Sequence, residues 1–209
     1  MTTYAFPALS RSAPYSVEFG LKSNTQVFTS PLNGSVQTLE LLGARWAETF
    51  TWQNLQGADA ELIKSLLTKL RGQANRVSKT PYERPAPQGT INLAGVTVNG
   101  AVAQFAASAN LSGCGIGKTF ADGDYFSVAG ELKRCTAAFT ADGSGNMTGV
   151  TFEPPVRAAA GWANTAAVTT NAPTALFIPS DPHVKWQGKP GGPNGVMYDI
   201  AFDLVEVFS

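Results

Sequence analysis

The stretch MYDIAFDLVEVF, Met197 to Phe208, decides how the chain is organised. Tyr198, Ile200, Phe202 and Leu204 recur at every second position, the period of a strand with one buried face. Val205 and Val207 then move the apolar residues to the other face. That fits either a bulge or a strand buried on both sides. A terminal strand this apolar must pair with something, and it is expected to return to the N-terminal sheet. The consequence is a discontinuous arrangement: residues 1–85 with 190–209 form one β-domain, and residues 86–185 are an insertion within it.

Working outward, the front of the chain supplies the strands for that sheet. Tyr15 to Phe19 alternates apolar and polar residues, Gln26 to Thr29 reads as a further strand, and Pro31 with Asn33-Gly34 marks a turn. Val36 to Trp52 reads as a long strand pair broken at Gly43. Its second half sets Trp46, Glu48, Phe50 and Trp52 on one face and Arg45, Ala47, Thr49 and Thr51 on the other. Three aromatics on one face imply a deep core or an interface. One helix is expected over about 59–71. Asp59 is placed to cap it, and Leu62, Ile63, Leu66, Leu67 and Leu70 form its apolar stripe. Lys69 and Arg71 oppose the negative end of its dipole, and Gly72 supplies the stop. The stripe suits packing on the neighbouring sheet better than a membrane or a partner.

Residues 79–89, KTPYERPAPQG, hold three prolines and read as a stiff extended connector. Beyond it the strands shorten and the turns crowd. Asn99-Gly100 is expected to join Val96–Val98 to Val102–Phe105 as a tight hairpin. Ala129-Gly130 joins Tyr125–Val128 to Glu131–Cys135. Thr136 to Thr140 continues that strand, Asp142 to Asn146 turns it, and Met147 to Phe152 returns. Strands at this spacing predict a small barrel or sandwich. Ser180 to Gly195, rich in Pro and Gly, reads as a long loop.

Composition narrows the function. Only 14% of residues are charged against 44% hydrophobic, with 21 Gly and 13 Pro. That is the palette of short strands, many turns, and surfaces that meet protein rather than water. Fifteen basic residues balance fifteen acidic ones, so no bulk field draws the chain to nucleic acid or an acidic membrane. No run approaches the ~20 apolar residues of a membrane span. The N-terminus lacks the pattern of a secretory signal, so folding in a cytoplasm is expected. Cys114 and Cys135 are then expected to be reduced, packed thiols. With one histidine they cannot supply a zinc site.

Motifs for chemistry fall short. Ser112 to Thr119 (SGCGIGKT) approaches a phosphate-binding loop, but Ser112 stands where the motif demands glycine, and a turn and strand follow instead of a helix. Asp142, Ser144, Asn146, Thr148 and Glu153 approach a calcium-loop spacing, but Met147 occupies the position that needs glycine. His183 has no Ser or Cys motif to serve. Asp122, Asp124, Asp142 and Asp181 read as turn residues, and Glu18, Glu48, Asp199 and Asp203 as solvated strand positions. The expectation is therefore no catalytic residues, no cofactor and no metal. Trp46 and Trp52 read as core. Trp162 and Trp186, in Gly-, Ala- and Pro-rich segments, read as exposed, and are the candidates for contact with a ligand or partner.

The segment Thr119 to Cys135 (TFADGDYFSVAGELKRC), then Ala141-Asp-Gly-Ser-Gly145 and Val150-Thr-Phe-Glu-Pro-Pro-Val-Arg157, resembles a pattern of tailed-bacteriophage tail-tip proteins. Ser30 to Gln37, Arg45-Trp46 and a helix ending Lys69-Leu-Arg-Gly72 add to it. Together these resemble the distal tail (Dit-like) proteins and related minor tail proteins over most of the chain. The resemblance implies a mainly β fold: a belt-like β-sandwich domain with one amphipathic helix, plus an inserted small β-barrel, often OB-like. It implies a homo-oligomeric ring, usually a hexamer, in the virion tail, assembled in the host cytoplasm. Its partners would be the tail tube protein, the hub and receptor-binding parts. No catalytic residue carries over. A second reading has the barrel bind a host glycan through Trp162 or Trp186, and a third, a cell-wall hydrolase, has no acid/base pair to support it.

Overall fold

In the computed structural model, which describes residues 1–10, 13–41, 43–191 and 195–208, the chain is mainly β, with 44% strand, 7% helix and one helical element. The strands β1 (Thr3–Ala5), β2 (Ser16–Lys22), β3 (Thr25–Thr29), β4 (Val36–Glu40) and β5 (Arg45–Leu55) precede α1 (Gly57–Leu70) and β6 (Arg76–Lys79). Next come β7 (Thr97–Val98), β8 (Ser108–Ser112), β9 (Thr119–Phe120), β10 (Tyr125–Val128), β11 (Glu131–Cys135), β12 (Phe139–Thr140), β13 (Met147–Glu153) and β14 (Val168–Thr169). The last three are β15 (Ala175–Pro179), β16 (Trp186–Pro190) and β17 (Val196–Glu206).

β17 lies inside a seven-stranded sheet of order β1-β6-β15-β17-β5-β2, with β16 beside its N-terminal half. It runs antiparallel to β5, setting Ile200 opposite Trp52 and Phe202 opposite Phe50. The apolar face does not switch at Val205. Glu206 continues it and is fully buried, while Val205 is only half-buried. A carboxylate on the core face was what broke the apparent period; the register shift in β17 falls instead between Tyr198 and Ile200.

The helix covers the core face of this sheet through Ala60, Ile63, Leu66, Leu67 and Leu70. It starts two residues earlier than expected. Its N-cap is Gln56, without a side-chain cap bond, and Asp59 sits in the first turn instead. There its carboxylate accepts from the amide and hydroxyl of Ser10, both at 3.1 Å, tying the N-terminal segment to the helix. Leu62, expected in the stripe, is 42% exposed. Arg71 caps the C-terminus in the left-handed region at φ 49°. Arg71→Gly removes that backbone penalty and is expected to raise stability by about 1 kcal/mol in urea unfolding.

The second sheet, of order β14-β10-β11-β13-β8-β7, rolls into a nearly closed barrel. Its first and last strands meet through Val98 N–H to Ala166 O and Val168 N–H to Val96 O, each 2.9 Å. Six strands contribute, where an OB-fold has five. The Ala129-Gly130 hairpin forms as read, with both residues at positive φ, the requirement of a tight turn between twisted strands. The Asn99-Gly100 hairpin does not: β7 pairs with β8, and Val102 makes only a bridge to Trp162. Thr136 to Thr140 is likewise broken, since Phe139 and Thr140 leave the barrel to pair with β9. Eighteen buried residues, among them Phe120, Phe126, Phe152 and Trp162, fill the interior.

The expected insertion ran to residue 185, yet Ala175–Pro179 pairs with β6 and β17 of the first sheet. Its alternate residues Ala175, Phe177 and Pro179 are buried, which is the sheet's own period. The expected 180–195 loop contains β16; residues 192–194 of it lie outside the described residues. The connector over 80–89 is irregular, and its Gln88 and Gly89 amides are held by the Asp124 carboxylate at 2.7 and 2.9 Å.

Sheet and barrel are joined by a small polar knot inside an aromatic cluster. Glu206 accepts from Leu132 N–H of the barrel at 3.1 Å and from Trp46 N–H of the sheet at 3.2 Å. The Trp46 indole N–H donates to Leu132 O at 3.0 Å. Phe19 stacks on Trp46, and Tyr125 meets both rings edge-on.

Candidate interaction surface

Glu48 and Asp124, expected at a solvated strand position and in a turn, are buried tethers, and so are Glu131 and Glu206. Glu48 faces Lys79, whose Nζ lies 2.9 Å from both its oxygens. Burial pushes Glu48 up and Lys79 down in pKa, each opposed by the attraction of the other. Asp124, no part of it exposed, accepts from Gln88, Gly89 and Ala121 amides. Glu131 accepts from the amides of Arg157 and Ala158 and pairs with buried Lys133 at 2.7 Å. Burial drives Glu206 up to about 7, opposed by the amides of Leu132 and Trp46 and then by the charge of Lys133. Each of these groups is committed to backbone amides or an ammonium, so they organise connections between segments rather than face a cleft.

The residues singled out from the sequence are not brought together. Trp162 is 1% exposed and packs in the barrel core, stacked on Phe152 with ring centroids 5.2 Å apart. Its ring cannot touch a ligand; the small residues Ala159, Ala160 and Ala163 beside it are exposed, while the indole itself turns into the barrel. Trp186 is 42% exposed on β16 of the other sheet. Cys114 and Cys135 are buried free thiols, pushed by burial to about 11 and about 12. The SGCGIGKT segment connects β8 to β9, with no helix after it. Asp142 closes the turn between β12 and β13 by accepting from Ser144 and Asn146 amides, which holds its carboxyl below the ordinary value. His183 is exposed, its amide bonded to Asp181 in the same kind of turn. Among the described residues no cluster of three His, Cys, Asp or Glu is placed to hold a metal, and no helix is long and apolar enough to cross a membrane.

The strands and turn of the ribbon β3–β4 form as expected, but its exposure on both faces was not signalled by their pattern. Leu41 N–H to Asn24 O, 2.8 Å, keeps it in step with the β2–β5 hairpin, so the ribbon extends that hairpin beyond Lys22 and Arg45. Register sets Val27 and Val36 on one face with Thr25, Thr29, Thr38 and, at the base, Glu40. Phe28 and Leu39 lie on the other with Gln26 and Gln37. Both faces are bare: Val27, Phe28, Val36 and Leu39 are 50–61% exposed, and Leu32 at the turn is 96% exposed. No charged residue occurs between Lys22 and Glu40. Natural edges in water carry charges or prolines that discourage pairing, and a two-stranded ribbon is marginal by itself. The absence of charge over that span was the available sequence signal.

A second apolar surface lies at the far end of the same hairpin. Phe6, Leu9, Pro14, Phe50, Trp52 and Tyr82 line a groove of about 460 Å³ between the N-terminal segment and β5. The one charged group among its described lining residues, Lys79, is paired with Glu48 and lies over the Phe50 and Phe6 rings. No protein-family model matches this chain, and no curated protein matches it.

Proposed function

We propose that the chain is a structural subunit of a phage tail tip, assembling into a homo-oligomeric ring that joins the tail tube to the hub and receptor-binding parts. The ring is usually a hexamer in the proteins that the sequence resembles. The observation that carries the reading is the ribbon β3–β4, without charge from residue 23 to 39 and exposed on both faces while attached to a well-packed sheet. A surface of this kind is stable in water when another protein covers it. The order and spacing of the Gly-Asp-Tyr, Ala-Asp-Gly and Pro-Pro segments from Thr119 to Arg157 support the same reading, as does the low content of charge. The place of the protein is then the virion tail, with assembly in the host cytoplasm. Native mass spectrometry and negative-stain imaging of the purified chain test this directly. A closed ring of uniform copy number is expected. A monomer at the highest attainable concentration, and no copy in the particle, would sink the reading.

A further inference from the structure

The ribbon and the groove fit each other, and resting on the ring reading above, we infer that the ribbon tip of one subunit docks in the apolar groove of the next copy. The turn at the tip is fixed by Ser30 N–H to Ser35 O at 2.8 Å and Gly34 N–H to Ser30 O at 3.0 Å, which presents Leu32 outward. Among the described residues neither surface brings a bare charge to the tip contact. The ribbon has none from residue 23 to 39, its one carboxylate, Glu40, standing at the base beside the sheet, and the ammonium of Lys79 in the groove is already paired. A contact of this kind therefore avoids the desolvation penalty of an unpaired ion.

The chain's own groove is out of reach. The ribbon continues the β2–β5 hairpin from its Lys22–Arg45 end, whereas Phe50 and Trp52 stand at the opposite end, where Thr51 pairs with Ser16. At ~3.3 Å per residue the tip lies roughly 50 Å along the ribbon from Trp52. Donor and acceptor surfaces at opposite ends of one element make a head-to-tail contact, the kind that generates rings when the rotation closes. The area is also of the right order. The five exposed apolar side chains present roughly 500 Å², taking ~150–200 Å² for a large side chain, and the flanking Thr and Gln residues add to it. A standard interface buries ~800 Å² per partner.

Two substitutions at exposed positions separate the possibilities. Leu32→Asp places a charge on the tip, and Ala8→Asp places one on the groove wall, where Ala8 is exposed and outside the core. Both variants are expected to keep the far-UV circular dichroism and Tm of the wild type and to run as monomers. An equimolar mixture is expected to give a 1:1 heterodimer, because one intact tip then meets one intact groove. If either variant still forms the wild-type ring, or if the two monomers do not pair when mixed, the tip-in-groove contact is wrong while the ring reading stands. A wild type that never assembles removes both.

Discussion

Glu206→Ala is expected to destabilise the protein by roughly 3–5 kcal/mol at pH 5, because it strips the acceptor from two buried amides at ~1–3 kcal/mol each. Those amides belong to Trp46 and Leu132, one in the sheet and one in the barrel, so the loss falls on the joint between them. The size of the loss depends on pH. The carboxyl titrates near 7 in the folded protein against an ordinary 4.5. Between those values the folded state holds more protons than the unfolded one. The contribution of Glu206 is therefore fully present below about pH 4.5 and is lost as pH rises through about 7, a change of about 3 kcal/mol. Lys133 and Glu131 face the same group with opposite effects, and both remain in the variant. Urea unfolding at pH 5 and pH 8 should show the larger destabilisation at pH 5. Glu206→Gln keeps one acceptor and cannot titrate, so its stability should change less between the two values than that of the wild type. Equal losses at both values for Glu206→Ala would mean that the joint does not hold a titrating carboxyl.

Trp162→Ala is expected to cost about 3–5 kcal/mol, the range for deleting a large aromatic from a packed core. The ring stacks on Phe152 and meets Phe126 edge-on, and a packed core relaxes only partly into such a volume. Trp162→Phe separates shape from hydrogen bonding. The buried indole N–H has no acceptor among the described residues, so phenylalanine loses volume but also removes an unsatisfied donor. A cost below about 1.5 kcal/mol is expected, read from thermal and urea unfolding. A Phe variant as unstable as the Ala variant would reveal a bond to the indole. Any loss of glycan adsorption in Trp162→Ala would report the damaged barrel, since the side chain has no exposed surface from which to touch a sugar.

Periodicity made much of the fold legible. The alternation in Arg45–Trp52 and Met197–Leu204 gave two long strands of one sheet, and the leucine spacing over 62–70 gave the helix, because each pattern records which face meets the core. Turn chemistry located the β10–β11 hairpin for the same local reason: Gly130 meets the demand for positive φ, and Ala129 takes its own at a backbone cost. The candidate surface was less legible. Val27, Phe28, Val36 and Leu39 look like any strand residues. Only the missing charges between Lys22 and Glu40 distinguished them.

By itself, then, the sequence determined a β-rich chain with one amphipathic helix and a terminal strand bound for the N-terminal sheet, since side-chain period and turn preference are local properties. Tertiary structure alone decided what the end of that strand does. Val205 and Val207 pointed to a change of face, whereas Glu206 stays on the core face because two amides, distant in sequence and brought from different sheets, meet its carboxylate there. The same holds for Trp162, buried by aromatic neighbours that its own Gly- and Ala-rich surroundings do not announce. A polar group is stable in a core only when partners converge on it, and convergence is a property of the folded chain.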